Sequence, residues 1–295
     1  MLRAIILAIA GDGLLSFMDA LIKSLTGRYP TFQITFLRFS SGFLWASALL
    51  LLVRPGWPSR ETNIYNSTRS VLIVITSTSF FFALSQLPLA DVVALSFLSP
   101  MFIALFGAIF LKEVIDGRIA FALLTGFAGM LLIAGAGIGG GTYSASAIYG
   151  TAACVVAAVS YAATLVLLRA RAQHDALSVI IWFQNVGPSL ILAPAAALVW
   201  TTPSLADLGL FALIGLIGVT GHMLLALAFA RAEAARLAPV HYTTLIWAVI
   251  FGYVLFSDLP GPATLAGAGL IVVGTIATHR RMPKFSLPKF GKRRG

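Results

Sequence analysis

Apolar residues along this chain come in long continuous runs, separated by short polar or turn-forming segments. A helix needs about 20 mostly apolar residues to cross the hydrocarbon core of a bilayer. By that measure ten runs qualify: 2–24, 31–53, 68–87, 89–111, 118–138, 147–170, 177–200, 205–230, 236–257 and 262–278. Apolar positions within them are continuous and not alternating, which argues against a transmembrane β-barrel. The connections hold turn formers, as in Arg54-Pro55-Gly56-Trp57-Pro58, Gly137-Ile138-Gly139-Gly140-Gly141 and Leu259-Pro260-Gly261-Pro262. No stretch is long enough for a separate soluble domain. The first run could be mistaken for a cleaved leader, since Arg3 precedes it and Ala8-Ile9-Ala10 looks like a small-residue cleavage site. The apolar run before that site is very short, however, and the pattern continues through Leu14, Leu15 and Phe17, so it reads as a span.

Composition agrees. Of 295 residues, 59% are hydrophobic and only 10% charged, against about 25% charged in soluble domains. That apolar content also excludes a disordered chain, and a single cysteine, Cys154, excludes a disulfide scaffold. Cys154 reads as an apolar filler of the sixth span. The net charge of +10 could suggest nucleic acid, but its placement points elsewhere. With a cytoplasmic N-terminus, 17 of the 20 Lys+Arg fall in inside segments, span ends included, with Arg54, Arg60 and Arg69 counted to the one between spans two and three. Only Lys23 and Arg28 lie outside, and Arg38 lies within a span. Such a bias is the positive-inside signal, so both termini are expected in the cytoplasm and no nucleic-acid partner is needed. The basic tail 280–295 carries Phe285, Leu287 and Phe290 among its charges, a pattern that suits anionic lipid headgroups and equally a plain orientation signal.

Shifting the chain by 145 aligns Ala83 with Ala228, Ala90 with Ala235, Phe106 with Phe251, Gly107 with Gly252, and the acidic residue closing each run, Glu113 with Asp258. Gly129 matches Gly269 at a shift of 140. Each half then has five spans. Five is odd, so the halves must lie in opposite orientations, an arrangement used by secondary transporters with a site near the midplane between repeats. The expected fold is an all-α polytopic membrane protein with ten transmembrane helices in two inverted five-helix repeats, 1–140 and 147–279, before the tail 280–295.

Several local patterns support a resemblance. They are Phe36-Leu37-Arg38-Phe39 after Pro30; Phe82-Ala83-Leu84-Ser85-Gln86-Leu87-Pro88-Leu89-Ala90-Asp91; Leu98-Ser99-Pro100; and Phe110-Leu111-Lys112-Glu113. Weaker counterparts are Glu233-Ala234 through Pro239, and Gly267-Ala268-Gly269. In order and spacing the chain resembles the drug/metabolite transporter superfamily, in particular EamA-type exporters, over nearly its whole length. It departs from that pattern in having Asp258 where the family usually has Glu. The resemblance implies secondary export of amino acids or related metabolites, aromatic amino acids among them, across the cytoplasmic (inner) membrane of a bacterium, with no cofactor.

Charges within spans are expensive and are site candidates by default. Asp12, Ser16, Asp19 and Lys23 are spaced 4, 3 and 4 apart, hence on one helix face. Thr31, Thr35 and Arg38 form a similar face on the second span, and antiparallel packing of the two spans would set Arg38 between Asp12 and Asp19. Either a structural ion pair or a coupling and substrate-carboxylate site would account for them. In spans four and nine, Ser96 maps to His241 and Ser99 to Thr244. Polar positions at matched depth suit a cavity between repeats, although Ser and Thr also bond back to their own helices. The same shift carries Ser16 to Tyr161, Asp19 to Thr164 and Arg38 to Phe183, beside Trp182. With Trp247 these give a cavity with charge on one side and aromatics on the other, fit for a small amphipathic solute. A zwitterionic amino acid or a lipophilic cation would both be accepted there. The aromatics could instead meet lipid. His222 and His241 can carry protons or simply be hydrogen-bonded. Pro100 and Pro239 adjoin the cavity faces and are hinge candidates, or static kinks. Spans five and ten have no charge between Ile119 and Gly141 or between Pro262 and Thr278 and are rich in glycine, which predicts peripheral supports or an oligomer face, and so a monomer or weak homodimer.

No phosphate loop, H-E-x-x-H, paired-cysteine motif, mid-span lysine or G-x-S-x-G nucleophile occurs. Neither an ATP-driven pump, a metal site nor an enzyme is expected. Three functions remain: a carrier of small organic solutes, a proton antiporter for cationic drugs using Asp12 or Asp19, and a non-transporting sensor or scaffold.

Overall fold

The protein is described by a computed structural model over residues 1–25, 27–86, 95–96, 98–135, 145–256 and 262–277. Regular structure among these residues is entirely helical. The helices are α1 (Leu2–Lys23), α2 (Thr31–Val53), α3 (Arg60–Gln86), α4 (Ser99–Phe110), α5 (Gly117–Gly135), α6 (Ala145–Ala172), α7 (Leu177–Leu198) and α8 (Leu205–Arg231). They continue as α9 (Ala234–Leu237), a 3₁₀ turn (Ala238–Tyr242), α10 (Thr243–Phe256) and α11 (Pro262–Ala277). Among the described residues six segments are long and apolar enough to cross a membrane: α1, α2, α7, α8, Ile148–Ala172 within α6, and Ala234–Leu255. Large apolar side chains such as Leu44, Leu52, Ile109, Leu124 and Leu190 stand exposed on the outside of the bundle, where a bilayer would meet them. The protein is a polytopic membrane protein. Asp91, Asp258 and the tail lie outside the described residues.

Two spans differ from the apolar ruler. The third begins at Arg60 and not at residue 68. Ser59 caps it, its Oγ accepting from the Thr62 amide at 3.0 Å. Its first turns carry Thr62, Asn66 and Ser70 at a spacing of four, all buried, so this helix starts on a polar stripe that hydropathy does not register. Arg69 therefore leaves the loop where it was counted and sits inside the bundle, 3% exposed. The ninth span is not one helix. The 3₁₀ turn interrupts it, with Pro239 inside that turn.

Packing is mostly between the two halves. α1 lies against α8 and α10, and α3 against α6 and α7; α2 meets α7 and α8, α4 meets α6, and α5 lies along α11. Exchanging the first five predicted spans with the last five maps each of these pairings onto another or onto itself. The expected juxtaposition of the first two spans is corrected here: α1 packs chiefly on α8 and α10 instead of α2. Glycine allows the closest approaches. A Cβ on Gly126 would overlap the Tyr242 ring, and one on Gly274 would overlap Thr125 Oγ1, which seats α5 against the 3₁₀ turn and against α11.

Polar contacts gather at two ends. At one, Asp207 accepts from Arg28 Nη1 at 2.6 Å and from Tyr29 Oη at 2.7 Å, and Gln33 pairs with the Thr201 backbone. At the other, Arg171 pairs with Asp175 at 2.6 Å and with Glu61 at 2.9 Å. The latter end also holds a clasp. Lys112 takes a left-handed conformation (φ 55°), and the Glu113 amide bonds back to the Gly107 carbonyl at 3.2 Å. That turn aims the Glu113 carboxylate at the start of α9, where it accepts from the Ala234 and Ala235 amides at 3.0 and 2.9 Å. Arg169 of α6 pairs with it at 3.4 Å while donating to the Phe229 carbonyl at 2.6 Å.

Candidate functional site

The polar face of α1 is split by depth and partner. Asp12 is buried and pairs with His241 of the 3₁₀ turn, Oδ1 to Nδ1 at 3.1 Å. Phe229 stacks on the imidazole at 6.0 Å between centroids, and Tyr161 meets it edge-on at 6.2 Å. Asp12 Oδ2 and His241 Nε2 have no hydrogen-bond partner among the described residues. Two turns on, Asp19 is exposed by its accessible surface although protein crowds around it. Ser16, between them, is half-buried.

Arg38 does not form the expected ion pair: no carboxylate among the described residues lies within 4 Å of it. Its Nε lies 3.3 Å from Met18 Sδ, and its guanidinium stands 4.5 Å above the Phe39 ring. It remains within longer electrostatic range of Asp19 and Tyr161. The physical reason is the packing above. With α1 on α8 and α10, Asp12 faces His241 and turns away from α2. Tyr161 is central: its phenol lies within electrostatic reach of Asp12, Asp19, Arg38 and Arg69.

The hydroxyls in the matched faces of spans four and nine are engaged locally. Ser99 Oγ donates to the Ser96 carbonyl at 2.6 Å, and Thr244 Oγ1 donates to the His241 carbonyl at 2.7 Å. These are the same bond at the same register of the two halves, each at the start of a regular helix, so both spans restart at equivalent positions. Pro100 lies in the first turn of α4, where its missing amide hydrogen bond is harmless; it is a helix start and not a bend within a helix. Thr164 Oγ1 donates to the Ser160 carbonyl at 2.9 Å, and His222 Nδ1 is 2.7 Å from the Gly218 carbonyl.

The tryptophans sit apart from the charges. Trp182 Nε1 donates to Ser47 Oγ at 3.0 Å in the α2–α7 seam. Trp247 Nε1 donates to the Ile9 carbonyl at 3.1 Å and its ring stacks on Phe251. Trp247 and Phe251 line an apolar cleft of about 530 Å³ with Ile9, Gly13, Leu14 and Phe17 of α1, on the side of α1 away from Asp12 and Asp19. The charged layer and the Trp247 cleft are therefore two different places.

Sequence reasoning missed Arg69 and Gln184. Arg69 Nη2 donates to Gln184 Oε1 of α7, beside Ser70 Oγ donating to the Phe183 carbonyl at 2.9 Å. The available signal was the polar stripe beginning at the Ser59 cap. Among the described residues no group of three metal-ligating side chains occurs.

The family model of the EamA-like transporter family matches residues 2–135 and again 148–279. The pseudopaline exporter CntI of Pseudomonas aeruginosa is 28% identical over 279 residues, covering 94% of this chain and 95% of its own. The S-adenosylmethionine uptake transporter of Rickettsia bellii is 26% identical over 262 residues, 88% of this chain and 87% of its own. A solved crystal structure superposes with a TM-score of 0.80 at 24% identity, over 94% of this chain and 98% of the other.

Proposed function

The chain belongs to the EamA-like transporter family, and on that premise we propose that it exports small organic solutes of the amino-acid type, including those with aromatic or hydrophobic side chains. It is a transporter and not an enzyme. The observation that carries the substrate class is the charged layer: Asp12 on His241, with Asp19, Arg38 and Tyr161 in mutual electrostatic range. Carboxylates on α1 can receive an ammonium group, a guanidinium on α2 can receive a carboxylate, and Tyr161 offers a ring face.

In the proposed mechanism ten helices form two inverted halves that alternate access to this layer. The exchange-symmetric pairings and the matched Ser99 and Thr244 bonds support it. The clasp of Glu113 on α9 would hold one end closed, and the positive-inside bias assigns that end to the cytoplasm. Relatives named for export and for uptake are consistent with a carrier whose direction follows its gradient.

A second reading, a proton-coupled antiporter for organic cations, is favoured by the buried Asp12–His241 pair. Reconstitution in liposomes separates the two. Saturable flux of L-phenylalanine or L-methionine supports the first. Flux of an organic cation driven by a pH gradient, and none of amino acids, replaces it with the second. No flux of either would favour a sensor or scaffold.

A further inference from the structure

Arg69 is the most poorly compensated charge in the described bundle. Its side chain is buried, and its one hydrogen bond among the described residues goes to the neutral Gln184 amide. Its Nε and Nη1 have no hydrogen-bond partner among the described residues. No carboxylate among the described residues lies within 4 Å of it, and the titratable groups within its electrostatic reach are a phenol, Tyr161 of α6, and an imidazole, His222 of α8. A buried guanidinium left in this state is strongly unfavourable, and buried polar atoms without partners are exceptions that call for a physical cause. The donors of an arginine match a carboxylate in shape and charge.

We propose that Arg69 is the anion-binding residue of the transport site: its unused donors take a carboxylate of the carried solute, while Gln184 holds the guanidinium in place through Nη2. This rests on the amino-acid reading above and deepens it by assigning the poles. Asp19 on α1, whose side chain is exposed, receives the ammonium group. Arg69 on α3 receives the carboxylate, with Arg38 on α2 reinforcing the positive side. Tyr161 lies within electrostatic reach of both carboxylates and both guanidiniums. The free Nε and Nη1 donors of Arg69 match the two oxygens of a carboxylate in shape and charge. The solute displaces no internal anion at Arg69.

The test uses the full chain in liposomes with L-phenylalanine and L-phenylalaninamide, which differ at the carboxyl group. Wild type should favour phenylalanine over the amide by roughly tenfold or more in competition. Arg69→Gln should reduce that preference to about twofold. Gln184→Glu keeps Arg69 and supplies an internal carboxylate at its Nη2. It should raise the melting temperature and lower phenylalanine flux about tenfold or more. Carboxylate preference that persists in folded Arg69→Gln, or Gln184→Glu protein that is more stable and transports normally, would make Arg69 structural and overturn the proposal. If Arg69→Gln does not fold, Gln184→Glu decides. If wild type carries neither probe, the amino-acid reading fails by itself. Arg69 is then judged by thermal stabilisation with 3-phenylpropionate against its amide: a preference lost in Gln184→Glu supports it, and no preference overturns it.

Discussion

Asp12 shows how a residue's role is fixed by what faces it. Buried at 1% exposure with one oxygen on His241, its carboxylate is held in place by that partner. Asp12→Ala would leave the imidazole buried beside Phe229 without its partner. A loss of about 1–3 kcal/mol is expected, read as a lower melting temperature of the detergent-purified protein. The double variant with His241→Ala should lose less than the sum of the two single changes. Asp19→Asn should behave differently. Because Asp19 is exposed and makes no ion pair among the described residues, its removal should leave the melting temperature within a degree or two but weaken solute competition in the flux assay. A melting point that falls as far for Asp19→Asn as for Asp12→Ala would show that Asp19 is part of the packing.

Among the elements, breaks in helices matter as much as the helices. The 3₁₀ turn at Ala238–Tyr242 places His241 against α1 and seats Tyr242 over Gly126 of α5. Gly126→Leu drives a side chain into that ring. Overpacking of about 1–3 kcal/mol follows, measurable as thermal destabilisation that Tyr242→Ala in the same chain should partly relieve. The Glu113 clasp joins the end of α4 to the start of α9. Glu113→Ala strips the acceptors from two helix-start amides and leaves Arg169 without its carboxylate. In a Cys154→Ala background, a reporter cysteine at Ala238→Cys should then react faster with a water-soluble maleimide applied from that side. An unchanged rate would mean that the clasp does not keep that end closed.

For the whole molecule, the sequence carried the class and the plan. Continuous apolar runs and scarce charge require a polytopic membrane protein, because backbone polar groups must be satisfied within helices once water is absent. The bias of basic residues sets an orientation: green fluorescent protein fused after Gly295 should fluoresce, and alkaline phosphatase fused there should be inactive. Patterning could carry this much because membrane burial acts on each segment separately. Pairing across the bundle is another matter. The sequence placed Asp12, Asp19 and Arg38 on polar faces, but it could not say that α1 would turn to α10 and give Asp12 to His241. Nor could it separate Trp247, on an apolar cleft, from the charges one helix face away. Arg69 was hidden for a related reason. A hydropathy ruler starts a span where apolar residues begin, whereas α3 starts at a serine cap and buries a polar stripe against α7. Local chemistry decided which residues could form helices in a bilayer. Only the tertiary structure decided which charges were satisfied, since that depends on partners more than a hundred residues away in the chain, as for Asp12 with His241 and Arg69 with Gln184.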